Sequence, residues 1–362
     1  MTMVDFTSPS YRGASSDLTI SVSPLGLVEL ADEEFEVHGP RITRYAQYWA
    51  FYLGHHWGYM RELGEPQLTF NYCRAMSDFT TNFCFGRGVS WDMPAENEAV
   101  IRPVLERIWH DDNDQARLLF EVGQMGSVCG DVFVKVAYED PWRDPAGNLH
   151  KGRLRLLPLN PSFCFPEWHP HDRERMIRFK LKYRFWGTTL EGTRQVFTYT
   201  ELITDEAIEE YINDELISSF PNPLGEIPIV HIPNLLVSSS PWGMPDIADI
   251  IPLNRQYNET ATQLADIIDY HASPTTVIVG AKASNLEKGA RKVWAGLPPD
   301  AQVYNLEMAS DAGLAQNFMQ LLKQAMHEMS GIPVTALGQE QAVSNTSGVA
   351  LQIQYQPMMM KF

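Results

Sequence analysis

The chain has 362 residues, 44% apolar and 20% charged, a balance that allows a sizeable core in two or three domains and excludes wholesale disorder. Its formal charge is −17, the wrong sign for gripping DNA, because that grip is made mainly by lysine and arginine on phosphates. No run of eighteen apolar residues offers a membrane span, and residues 1–16 lack the basic-then-apolar order of a secretory signal. The four cysteines, Cys73, Cys84, Cys129 and Cys164, lack zinc-site spacing and are expected as reduced, mostly buried thiols.

Residues 1–40 are Ser/Thr-rich and then acidic, and are expected to form a loose arm. From Arg41 to Leu63 the aromatic residues Tyr45, Tyr48, Trp49, Tyr52 and Tyr59 fall at helical steps, which predicts a helix with an aromatic core stripe. The pair His55-His56 has no partner at metal-ligand spacing and is assigned a structural role. A second helix is expected over Leu68–Phe85, ending at Gly86-Arg87-Gly88; that turn lacks the pattern of a nucleotide-binding loop. Glu96–Trp109 and Asp114–Val128 form a predicted helix pair.

Between them lies His110-Asp111-Asp112-Asn113-Asp114. Three carboxylates and an imidazole within five residues make a candidate metal site for a metal-dependent hydrolase. The calcium-loop pattern is absent, however, and a solvated turn with Asp114 as helix cap is the simpler expectation. Strands are predicted over Gly130–Tyr138 and Arg153–Leu159, an irregular connector over Asn160–His171, and further antiparallel strands over Met176–Trp186, Gln195–Thr200 and Ile208–Leu216. Turns are placed at Gly187 and Asn213-Asp214. Helices followed by strands give an α+β fold. No Ser/His/Asp or Cys/His constellation announces a nucleophile, and neither a catalytic residue, a cofactor nor a metal is assigned.

The last third is a long helix (Asp246–His271), a compact insert, a second helix from Ser310 or Asp311, a polar loop and a third helix (Val349–Gln356). Ile250, Leu253, Tyr257, Ala261, Leu264, Ile268 and His271 draw an expected packing stripe on the first helix, opposite Arg255, Glu259, Thr262, Asp266 and Asp269. A kink or restart is expected near Pro252. The insert shows strand-like Thr275–Val279 and Gln302–Leu306 around a short predicted helix. Leu314, Phe318, Leu321, Leu322, Ala325, Met326 and Met329 mark the stripe of the second long helix. The third is expected to stop at Pro357.

Several stretches resemble the portal proteins of tailed bacteriophages: Trp242-Gly243-Met244-Pro245-Asp246-Ile247 leading through Asn254, Tyr257 and Asn258, then Gly331-Ile332-Pro333, and Ser344-Asn345-Thr346-Ser347-Gly348-Val349-Ala350-Leu351. Asn82–Val89, Cys129–Val136 and Asn222–Val230 extend the similarity over most of the chain.

The resemblance implies a ring, of twelve copies in this family, at one capsid vertex of the virion, assembled in the host cytoplasm. Double-stranded DNA would pass through it during packaging and ejection. It implies an N-terminal arm (1–40), an α+β wing (41–240), stem helices (241–272 and 309–332), an α/β clip (273–308), a tunnel loop (333–348) and the start of a crown-side helix (349–362). Gln339, Gln341, Ser344, Asn345 and Thr346 would lie nearest the DNA. Lys282, Lys288, Arg291 and Lys292 would dock the terminase large subunit and later the head-tail adaptor. Leu264, Ile268, Phe318 and Leu322 would pack between subunits. Major capsid and scaffolding proteins are further implied partners, a membrane is not, and another capsid or connector ring protein is the nearest alternative.

Overall fold

The computed structural model describes residues 32–58, 67–144, 147–188, 192–272, 276–280, 299–305, 312–337 and 348–360. It is α+β with several antiparallel sheets, and the chain divides into two units: Met1–His56, Asn71–Ile251 and His327–Phe362 in one, Trp57–Phe70 and Pro252–Met326 in the other.

In the first unit, helix α1 spans Asp32–Tyr52 and so begins nine residues before the expected start. Pro40 lies inside it, and the lost backbone bond is offset by a continuous buried face: His38, Arg41, Ile42, Tyr45, Trp49 and Tyr52. Helix α2 (Tyr72–Phe85) starts later than expected because Asn71 caps it, its side chain accepting from the Arg74 amide at 2.9 Å. Helix α3 (Ala95–Glu106) buries none of its residues and widens into a π-helical turn, Arg107–Asp112. Helix α4 (Gln115–Cys129) packs closely on α2: a Cβ on Gly123 would stand 2.8 Å from Phe85 and Thr81 side-chain atoms.

Strand β1 (Asp131–Glu139) lies between β4 (Arg153–Leu159) and β10 (Ile229–Pro233), antiparallel to both; β2 (Trp142–Arg143) and β3 (Leu149–His150) form a small hairpin on the β1–β4 connection. A second sheet runs β5 (Cys164–His169), β6 (Asp172–Thr188), β7 (Arg194–Ile203), β8 (Ala207–Ile212) and β9 (Glu215–Pro221) in chain order. Its core face supplies Phe179, Leu181, Phe197, Tyr199, Ile203, Ile208 and Ile212, packed with Phe133 of β1 and Ile229 of β10. Glu201 points into this core from β7 and is neutralised by Lys135 from β1.

Two expectations give way here. The connector at Asn160–His171 is a short 3-10 turn followed by β5; Pro166 is tolerated because β5 is an edge strand, where a missing N–H costs no ladder bond. Gly187 is not a turn residue but sits within β6 opposite Gln195, where the Phe197 ring leaves room for no side chain. The turn at Asn213-Asp214 is present: both have positive φ (50° and 64°), which closes the β8–β9 hairpin.

In the second unit, helix α5 spans Ile250–Ala272. It begins at Ile250, so Pro252 falls in the first turn, where its N–H would have no intrahelical partner; the kink is not needed. Strands β11 (Thr276–Val279) and β12 (Gln302–Asn305) pair antiparallel as expected of the insert, and the predicted helix between them lies outside the described residues. Helix α6 covers Ala312–Ser330, its last turn belonging to the first unit. Helix α7 (Gly348–Met359), which belongs to the first unit, runs through Pro357 rather than stopping there, since so close to the helix end the proline removes only one bond.

Candidate functional site

The approach to the long helix is set by two glycines that cross at backbone contact. Helix α4 ends at Gly130, in the left-handed region at φ 88°. A Cβ there would lie 2.7 Å from the Met244 carbonyl carbon and the Pro245 nitrogen, and a Cβ on Gly243 would lie 2.2 Å from the Gly130 oxygen. Hydrogen bonds fasten the crossing: the Asn234 amide donates to the Gly130 carbonyl (2.8 Å), the Asp246 amide to the Ser127 carbonyl (2.8 Å), and Leu235 and Met244 form an isolated bridge.

Directly beside it, Asp131 is 1% exposed and accepts three hydrogen bonds: from the Tyr45 hydroxyl (2.6 Å), from His231 Nε2 (2.9 Å) and from the Gly243 amide (2.9 Å). One carboxylate thus ties α1, β1, β10 and the segment leading to α5. Next to it the Arg41 guanidinium donates to the Pro161 and Cys164 carbonyls (2.8 and 2.7 Å) and stacks over the Trp242 ring at 4.2 Å. His38 accepts from Arg41 at 3.2 Å and is wedged edge-on between Phe165 and Trp242. Burial, and then the Arg41 charge, lower its pKa from 6.5 to about 4. Burial pushes the Cys129 and Cys164 thiols far up and the Cys73 thiol to about 12, so all three are inert at neutral pH.

On α5 the buried stripe differs from the expected one. Ile250 and Ala261 are buried, but so are Asn254, Asn258 and Thr262, spaced four apart. Their side chains bond the backbone of the extended residues 67–70. Asn254 Nδ2 donates to the Phe70 carbonyl (2.7 Å), Asn258 Oδ1 accepts from the Phe70 amide (2.8 Å), and Thr262 Oγ1 accepts from the Leu68 amide (3.0 Å). One helix face therefore takes the place of a neighbouring β-strand, and Thr262, expected on the outward polar face, turns inward. The apolar stripe is correspondingly open. Leu253, Tyr257 and Leu264 are half-buried, and Ile268 is 59% exposed. Helix α6 buries Leu322 and Met326 while leaving Leu314 at 70%, Phe318 at 41%, Leu321 at 61% and Met329 at 55% exposure.

Two of the three carboxylates of the 110–114 turn make structural bonds, and the third, Asp111, is exposed. Asp114 caps α4, accepting from the Arg117 amide at 3.3 Å, as expected. Asp112 accepts from the Leu154 amide (3.2 Å) and lies 3.7 Å from Arg107. Asn113 bonds the Leu154 carbonyl and the Leu156 amide (both 2.9 Å), pinning the π-turn to β4. Among the described residues no group of three or more His, Cys, Asp or Glu is placed to hold a metal. His56 is buried, its Nε2 2.9 Å from the Phe51 carbonyl, in the structural role assigned to it.

Of the residues assigned to function from sequence, Leu264, Ile268, Phe318 and Leu322 fall on the two long helices. Gln339, Gln341, Ser344, Asn345 and Thr346, and Lys282, Lys288, Arg291 and Lys292, lie outside the described residues. The Asp131 knot and the Asn254/Asn258/Thr262 ladder were not singled out as sites. The only signal for the ladder was three short polar residues at four-residue spacing on a helix.

Residues 59–362 match the family model described as phage portal protein, SPP1 Gp6-like, and the chain belongs to that family. Its role is that of a phage portal protein. The chain is also similar to one from a solved structure described as the neck of an empty GTA particle computed with C6 symmetry, at 12% identity and a TM-score of 0.44, covering 78% of this chain and 70% of that one. No curated protein matches it.

The crossing predicts unequal costs for two glycine substitutions that share a positive φ. Gly147→Ala, with φ 89° and no atom within 4 Å of the new Cβ, should cost about 1 kcal/mol of backbone strain. Gly130→Ala adds a clash with fixed backbone and should cost at least about 2 kcal/mol more, read from denaturant midpoints. Equal costs would mean that the crossing is loose. His38 predicts a pH dependence. Its folded pKa lies below the unfolded one, so the unfolded chain takes up a proton that the folded chain refuses. Stability should rise with pH between about 4 and 6.5, by up to about 3 kcal/mol from this group, and level off above. His38→Gln should flatten that slope; an unchanged slope would remove His38 from the account.

Proposed function

We propose that copies of this chain close into a ring at one capsid vertex, and that the long helices line a channel through which double-stranded DNA enters and leaves. The observation that carries this reading is the open apolar stripe of α5 and α6. A helix exposing Leu314, Phe318 and Leu321 on one line has a face left open among the described residues, and large exposed apolar patches mark interaction surfaces. A closed ring supplies that partner through head-to-tail contacts. Leu264, Ile268 and Phe318 are the proposed inter-subunit residues, Leu322 being already buried within its own chain; twelve copies is the proposed number, and no enzymatic step is required of the chain.

The division into wing (41–240), stem (241–272 and 309–332), clip (273–308) and tunnel loop (333–348) is part of the same proposal. The net charge of −17 suits a conduit: an acidic wall repels phosphates, so DNA slides rather than sticks. Glu259, Asp266 and Asp269 on α5 carry that sign. Gln339, Gln341, Ser344, Asn345 and Thr346 would offer weak, exchangeable contacts to the advancing backbone. Lys282, Lys288, Arg291 and Lys292 would meet acidic surfaces of the terminase large subunit and then of the head-tail adaptor. The wing would face major capsid and scaffolding proteins within the virion.

Two experiments test this reading. Ile268→Asp places a charge on a side chain that is 59% exposed in the single chain, so it should fold normally yet assemble poorly, because the charge would be buried only in the ring. Mass photometry should show monomers; intact rings would put the contact elsewhere. Replacing Gln339, Gln341 and Asn345 together by lysine should leave assembly unchanged and slow DNA packaging in a reconstituted reaction. Unaltered packaging would remove the loop from the channel.

A further inference from the structure

The five-stranded sheet has two unlike edges. At β5 the outer side is closed: Arg41 holds the Cys164 carbonyl at 2.7 Å, Pro166 has no N–H to offer, and residues 161–166 are buried. At β9, among the described residues, no strand pairs with the outer side. Six of its seven residues are exposed, Leu216 at 52%, Ile217 at 50% and Phe220 at 42% among them. The Asn222 amide bonds the Glu206 carbonyl at 2.8 Å, and in the observed register this makes Ile208–Phe220 and Glu210–Ser218 the hydrogen-bonded pairs. Ser219 therefore turns its N–H and C=O away from β8, towards the open edge. Phe220 lies on the core face, opposite buried Ile208, and Ser219 on the other face, in register with Glu209. The bulge at Ile217 and the missing N–H of Pro221 limit the usable edge to a few residues.

This edge carries one sign of charge. Between Arg194 and Arg255 the chain has no lysine or arginine. Asp205 and Glu206 are exposed at one end of the edge and Glu215 at the other, and Glu209 and Glu210 lie between them on β8. The Tyr211 hydroxyl donates to Glu209 (2.7 Å) and the Tyr199 hydroxyl to Glu210 (3.0 Å); neither donor is a cation. A row of cations, Arg178, Lys180, Lys182 and Arg184, stands on β6, three strand spacings or about 14 Å from β9.

We propose that β9 receives an extended segment of another protein in which lysine or arginine alternates with apolar residues. The backbone dictates the form of the partner. An added strand exchanges N–H and C=O bonds with Ser219 and donates to the Pro221 carbonyl. Alternation dictates its sequence. Apolar residues fall on the core face beside Phe220 and continue its cover, while a basic residue falls beside Ser219, whose short side chain leaves a path to Glu209. A second copy of β9 does not fit, because it would bring Glu209 and Glu215 of two chains together, and like charges across a strand pair repel. The chain's own alternating run, Phe179 to Phe185, is already inside the sheet as part of β6.

Residue-resolved hydrogen exchange on the full chain, with a short synthetic peptide alternating lysine and valine as the probe, tests the proposal. Saturating peptide should slow the Ser219 amide at least about tenfold, while the Phe220 amide, bonded to β8, is slow with and without it. A Ser219 amide that is already slow without peptide, or that the peptide leaves unchanged, would overturn the open edge. A peptide alternating glutamate and valine should leave Ser219 fast; equal slowing by both peptides would contradict the charge assigned to the partner. Binding of the lysine peptide should weaken as salt rises, and Glu209→Gln should weaken it about threefold. Unchanged affinity in that variant would remove Glu209 from the site.

Discussion

The structure turns on a backbone crossing that only glycine permits. Gly130 ends α4 and starts β1, and Gly243 passes across it on the way to α5, with the Gly130 oxygen where any side chain on Gly243 would have to begin. Because both partners are main chain, neither can yield, and the crossing within the first unit is fixed by backbone contact rather than by side-chain fit. Asp131 then holds the crossing from beneath. A carboxylate this deeply buried is tolerable only when its lone pairs are filled, and Tyr45, His231 and the Gly243 amide fill them. A wrong register at any of these elements would strand that charge, so the knot selects one arrangement of α1, β1, β10 and the approach to the long helix.

Helix α5 inverts the usual division of labour. Its inward face is made of amides and hydroxyls that satisfy the backbone of residues 67–70, a segment that would otherwise present unpaired groups. Ile268 at its far end is left 59% exposed, and α6, which buries Leu322 and Met326, leaves Leu314, Phe318 and Leu321 exposed as well. A chain with an ordinary core in its first unit and open apolar lines on its long helices is incomplete as a monomer. That incompleteness is what motivates the proposed ring, in which a neighbouring copy would cover the open face.

Much of this was legible in the sequence. Alternation disclosed β1, β4, β6, β7 and β8; Asp114 announced its helix, and the Asn213-Asp214 turn was correctly placed. Misreadings had local causes. Pro252 reads as a kink and Pro357 as a stop, yet the first falls in the opening turn of α5 and the second near the end of α7. Period-based reasoning also assumed that buried means apolar, which hid Asn254, Asn258 and Thr262. The Gly130–Gly243 crossing joins residues more than a hundred positions apart, and no periodicity in one chain reveals such a pairing. The residues assigned to docking and to the tunnel loop rested on family resemblance, not on local pattern.

The measurement that bears most directly on the central claim is electron microscopy of the purified protein. Closed rings of uniform diameter, with a central hole wide enough for a DNA duplex and the long helices around it, are the predicted result. Compact monomers or dimers with the α5 and α6 stripes in solvent at all concentrations would contradict it.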